Sequence, residues 1–75
     1  MPPLPKGLSS RECLQALEKA HFYFVRQKGS HIVMRRDNPF TQVVVPETRK
    51  LPPGTLRNII RGAGLTVEEF LGLLQ

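Results

Sequence analysis

Apolar positions fall at helical spacing early in the chain. Cys13, Leu14, Leu17 and Ala20 form one stripe, and Arg11, Gln15, Glu18 and Lys19 occupy the other side. Ser9-Ser10-Arg11-Glu12 is a capping box, with Ser9 at the N-cap and Glu12 reaching back, and Leu8 and Cys13 are placed to form a hydrophobic staple. A helix is predicted over about Ser10–Ala20. The pattern then turns aromatic and β-branched in Phe22–Gln27, which reads as a strand. Lys28-Gly29-Ser30 supplies a tight turn, His31–Arg36 a second strand, Asp37-Asn38-Pro39 another turn, and Phe40–Val45 a third strand stopped by Pro46. Pro53-Gly54-Thr55 opens a second helix with Leu56, Ile59, Ile60 and Ala63 on one stripe and Gly64 at its end. Thr66 and Glu69 repeat the capping box, flanked by Leu65 and Phe70, and start a short helix over about Val67–Leu74.

The predicted order is α-β-β-β-α with a terminal helical turn or two, an α+β fold in a single domain over residues 1–75. Residues 1–8, rich in proline, read as an extended arm. Short turns imply a three-stranded antiparallel meander. So few helices can cover only one face of such a sheet, leaving the other open to solvent or a partner. The pleat puts His31, Val33 and Arg35 on one face of the second strand and Ile32, Met34 and Arg36 on the other. Ile32 and Met34 make the better core pair, so His31 and Arg35 are expected on the open face with Val33 exposed between them.

Charge sharpens this picture. Eleven Lys/Arg against six Asp/Glu give a net charge of +5, a substantial positive field on so small a surface, which favours polyanionic partners. Arg26, Lys28, Arg35, Arg36, Arg49, Lys50, Arg57 and Arg61 all lie in the middle of the chain. Four of the acids, Glu12, Glu18, Glu68 and Glu69, sit in the terminal helices. The single cysteine, Cys13, excludes an internal disulfide and reads as a small buried apolar residue. MPPLPKG lacks the apolar core of a signal peptide, and no stretch approaches membrane-spanning length, so a cytoplasmic protein without membrane attachment is expected.

The residue with chemistry to offer is His31. An imidazole titrates near neutrality and can take the proton of a ribose 2′-hydroxyl, making it a nucleophile toward the adjacent phosphorus without metal or cofactor. Charge developing on the phosphoryl oxygens needs nearby cations, for which Arg26, Lys28 and Arg35 are the candidates. Gly29 and Ser30 let the backbone approach a phosphate, and the Ser30 hydroxyl adds a donor. The proton for the departing 5′-oxygen comes from His31 itself, from Lys28 or from water. A solvated surface histidine or a simple RNA contact is the competing reading of the same residues. His21 reads as a helix C-terminal residue favoured by the dipole. Arg57 and Arg61 read as the wet side of their helix, with a phosphate-binding ridge as the alternative, and Tyr23 and the four phenylalanines read as packing rather than as base-stacking platforms.

FYFVRQKGSH (22–31), VVVP (43–46) and PPGTLRNIIRGAGLTVEEFLGLL (52–74) together resemble the HicA (YcfA-like) family of bacterial messenger-RNA interferase toxins. The resemblance implies a fold like that of double-stranded-RNA-binding domains, α-β-β-β-α. It further implies metal-independent cleavage of messenger RNA with arrest of translation, and it makes His31, in G-S-H, the catalytic residue. It implies a HicB-type antitoxin that covers the histidine face. Two positions depart from the family pattern. Thr48 stands where many relatives carry a second histidine, and His21 stands where many carry glycine. A non-catalytic RNA-binding module and a degenerate toxin are the alternatives.

Overall fold

The structure, a computed structural model, describes residues 3–75. Helix α1 (Ser10–Lys19) starts where its capping box places it. The Ser9 hydroxyl accepts from the Glu12 N–H at 3.1 Å, and Glu12 Oε1 accepts from the Ser9 N–H at 3.1 Å. Helix α3 (Val67–Leu73) repeats the device with Thr66 and Glu69, at 3.0 and 2.8 Å. Helix α2 (Pro53–Gly62) has no side-chain cap and begins instead on Pro53, whose missing N–H has no partner to lose in a first turn.

Strands β1 (Tyr23–Lys28), β2 (His31–Asp37) and β3 (Phe40–Pro46) form an antiparallel sheet in the order β1-β2-β3. Each connection is one residue shorter than predicted, because Lys28 and Asp37 still pair in the ladder: Gly29–Ser30 joins Lys28 and His31, and Asn38–Pro39 joins Asp37 and Phe40. All helices pack on one face. Ile32, Met34, Val43 and Val45 meet Cys13, Leu17, Leu56, Ile60 and Phe70 there in the buried core.

The register breaks once. Phe24 pairs with Met34 and Arg26 with Val33, so Val25 is the extra residue of a β-bulge. Strict alternation from Lys28 would put Arg26 and Phe24 on the open face and Tyr23 beneath the helices. The bulge exchanges the last two. Tyr23 joins the open face opposite Arg35, and Phe24 turns to the helix side, where it lines a groove with Leu14, Ile32 and Met34.

Two expectations are corrected. Val33 lies on the open face but is only 7% exposed, because the middle strand of three is flanked by a side chain on either hand, here Arg26 and Val44. The proline-rich start is less of an arm than expected. The chain turns at Lys6–Gly7, buries Leu8 and lays Leu4 against the core. Its first two residues, Met1 and Pro2, lie outside the described residues.

Candidate functional site

His31 is exposed at the first position of β2. Its neighbours across the sheet are Lys28 on β1 and Pro46 on β3, and register partners share a face. His31 therefore stands at one end of the open face, with Lys28 opposite it on the neighbouring strand. The turn that brings them together is built for the purpose. Gly29 takes φ +60, a left-handed conformation free to glycine, and Ser30 does not, the pattern of a type II′ hairpin turn. No atom lies within 4 Å of where a Gly29 Cβ would be, so conformation and not space selects glycine here.

The turn is also braced from outside. The Glu47 N–H donates to the Ser30 carbonyl at 2.6 Å. Gln27 Nε2 donates to the Gly29 carbonyl at 3.0 Å and to Glu47 Oε1 at 3.2 Å. Further along, buried Ser10 clamps Thr48. Its hydroxyl donates to the Thr48 carbonyl at 3.0 Å and accepts from the Thr48 N–H at 3.1 Å, while the Ser10 N–H donates to the same carbonyl at 3.0 Å. These contacts fix the chain that leaves β3 beside His31. Nothing in the sequence around Gln27, Glu47 or Ser10 signals them, since each bond joins elements distant in the chain or faces set by register.

The remaining candidates are distributed along the face. Arg26 is exposed two rungs from His31, opposite Val33. Arg35 shares the face but not the neighbourhood, because four residues of strand place it about 13 Å away. It is already engaged. Its Nε and Nη2 donate to Gln42 Oε1 at 3.1 and 2.9 Å, and its guanidinium lies 5.7 Å from the Phe40 ring centroid. Arg36 leaves the basic face altogether. It stands 4.8 Å over the buried Phe22 ring and donates to Thr41 Oγ1 at 3.1 Å and to the Ala63 carbonyl at the end of α2. Arg57 and Arg61 are exposed on α2, as expected of its wet side.

The other titratable groups do not join His31. His21 precedes β1 at the far end of the first hairpin, about 17 Å of strand away. Cys13 is fully buried, and burial pushes its thiol up to about 12, which leaves it an un-ionised core residue. The Tyr23 hydroxyl donates to Asp37 Oδ1 at 2.6 Å, and that bond to a carboxylate raises the phenol above its ordinary range.

The expectation that every aromatic packs holds for Phe22 and Phe70, which are buried. It fails for Phe24, Phe40 and Tyr23, which are 59%, 64% and 42% exposed. Tyr23 and Phe40 stand on the open face. Strand and bulge geometry, invisible in composition, decides which aromatic goes where.

A histidine and a lysine thus flank a tight Gly-Ser turn at one end of the uncovered sheet face. The family described as "HicA toxin of bacterial toxin-antitoxin" matches residues 10–65. The chain belongs to the HicA toxin family. The match spans α1, the sheet, α2 and its C-terminal turn, and includes every candidate site residue. No curated protein matches the chain closely enough to count as a relative. Membership in the HicA toxin family implies an antitoxin partner. No helix among the described residues is long and apolar enough to cross a membrane.

Proposed function

We propose that this HicA toxin is an endoribonuclease that cuts messenger RNA, with His31 as its catalytic residue. The observation that carries the reading is the exposed His31 imidazole directly opposite Lys28 at one end of an open, basic sheet face. His31 accepts the proton of a ribose 2′-hydroxyl. The 2′-oxygen attacks the adjacent phosphorus, and the bond to the 5′-oxygen breaks. The imidazolium returns its proton to that leaving oxygen, so the products are a 2′,3′-cyclic phosphate and a 5′-hydroxyl. Lys28 neutralises the phosphoryl oxygens as charge builds, Arg26 holds a neighbouring phosphate, and the Gly29–Ser30 turn lets the backbone approach. Arg35 contributes to binding at a distance and not to the reacting phosphate.

Substrate choice follows from the nucleophile, since DNA lacks the 2′-hydroxyl. With Thr48 where many relatives carry histidine, and His21 remote, a single imidazole serves both proton transfers. The rate is accordingly modest. The antitoxin partner is of the HicB type and covers the His31 face, which would block RNA by occupying its binding surface. The protein acts in the cytoplasm, where messenger RNA is found.

A non-catalytic RNA-binding module would use the same basic face, and the absence of a second histidine beside His31 is the observation that favours it. The test is an RNA-cleavage and RNA-binding assay on wild type and His31→Ala, with metals chelated. Retained binding and lost cleavage in the variant supports the enzyme. Wild type that binds RNA and leaves it intact supports the module, and wild type inert toward RNA points to a degenerate toxin.

A further inference from the structure

We propose that the end of the open face away from His31 is a base-stacking subsite for single-stranded RNA, with Phe40 as its platform. The inference rests on the RNA reading above and adds to it a recognition element remote from the cut.

Phe40 opens β3 and pairs with Asp37 at the distal end of β2, about 20 Å along the strand from His31. Among the described residues it is the most exposed large apolar side chain, at 64%. An isolated exposed aromatic needs no explanation, but this one is arranged. Arg35 lies against its ring at 5.7 Å and is itself pinned to Gln42, so the guanidinium and the ring are held together. On the other side of Arg35, the Val25 bulge has delivered Tyr23 to the same face, and Tyr23 is anchored through its hydroxyl to Asp37. Two exposed rings thus flank one oriented cation. Flat rings beside a planar cation accept a nucleobase of any kind, because every base has a π-face.

Charge selects the occupant. Lys28 and Arg26 continue the face from Arg35 to His31, giving a track of cations that a phosphate backbone can follow from the platform to the imidazole. An apolar protein surface would satisfy the rings but not that track. A duplex would satisfy the track but keeps its bases stacked on one another and unavailable to the rings. An extended single strand satisfies both, with one base on Phe40 a few nucleotides from the bond to be cut.

The experiment uses the full chain carrying His31→Ala, so that RNA survives, and a short fluorescein-labelled oligoadenylate as probe. Adding Phe40→Ala or Phe40→Leu is expected to weaken binding about 5- to 150-fold, the equivalent of one lost base–aromatic stack, whereas Phe40→Trp retains it. The slope of affinity against salt stays unchanged in all three, because no phosphate contact is removed. A 2-aminopurine in the probe is quenched by the parent and not by the Phe40→Ala form. Unchanged RNA affinity in both Phe40→Ala and Phe40→Leu overturns the subsite and leaves the strip as protein-docking surface, with the nuclease reading untouched. A His31→Ala parent that binds no RNA overturns both.

Discussion

Lys28 and His31 close the first hairpin as direct partners across the β1–β2 ladder, separated in sequence only by Gly29 and Ser30. That relationship makes the turn a chemical unit. The left-handed backbone at Gly29 lets the chain reverse in two residues, which sets Lys28 and His31 opposite each other on one face.

Lys28→Ala is therefore expected to weaken RNA binding and to lower the slope of log affinity against log salt by about one, the signature of one lost phosphate contact. Its cleavage rate should fall further than binding alone accounts for if, as proposed, Lys28 also stabilises charge in the transition state. Arg57→Ala, on the solvated side of α2, serves as the comparison and should change neither. Titrations at several salt concentrations beside single-turnover cleavage check both parts.

Ser10 holds the segment that leaves β3 next to the site. Ser10→Ala removes a buried hydroxyl that both donates to and accepts from the Thr48 backbone, leaving the Thr48 N–H unmatched. A loss of about 1–3 kcal/mol in unfolding free energy is expected from denaturant titration. Hydrogen exchange at Thr48 should accelerate in the same variant.

His21 occupies φ +74 where α1 ends, the Cʹ position of a Schellman motif. The His21 N–H donates to the Glu18 carbonyl and the Phe22 N–H to the Leu17 carbonyl, both at 3.0 Å. α2 ends the same way, with glycine at the equivalent Gly64, φ +74. A side chain in this conformation costs about 1–2 kcal/mol. His21→Gly should raise stability by about 1 kcal/mol, and Gly64→Ala should lower it, in parallel denaturant titrations.

Much of this architecture is legible before any coordinates. Capping boxes at Ser9 and Thr66 and the two turn motifs set the helix starts and the strand ladder, because these signals are local. The open face and the place of His31 follow from alternation. What is not legible depends on one inserted residue and on register. The bulge at Val25 decides that Tyr23 and not Phe24 joins the open face, and nothing in the run YFVRQ announces it. Alternation separates Arg35 from Arg36, but not their partners: one guanidinium rests on the exposed Phe40 ring and the other on the buried Phe22 ring. Val33 looks exposed by its face, and the middle position of its strand covers it.

Tyr23 is the only tyrosine in a chain without tryptophan, so its ionisation can be followed alone by tyrosinate absorption. The hydrogen bond to Asp37 raises its phenol, with the neighbouring Arg35 acting in the opposite direction. Ionising the phenol would set two anions against each other, so the folded state favours the neutral ring. That contribution is present below the ordinary phenol range and is lost as pH rises through the raised value. Asp37→Asn should return the titration toward the ordinary range. An unshifted wild-type titration would contradict the contact.

Proton transfer by the His31 imidazole is the step on which the proposed activity depends, and chemical rescue tests it most directly. Single-turnover cleavage of a labelled messenger-RNA fragment should fall about 100-fold or more in His31→Ala, within the range of a lost general acid–base. Free imidazole added to the variant should restore part of the rate, in proportion to its unprotonated fraction, and leave wild type unchanged. Undiminished cleavage by His31→Ala would contradict the assignment.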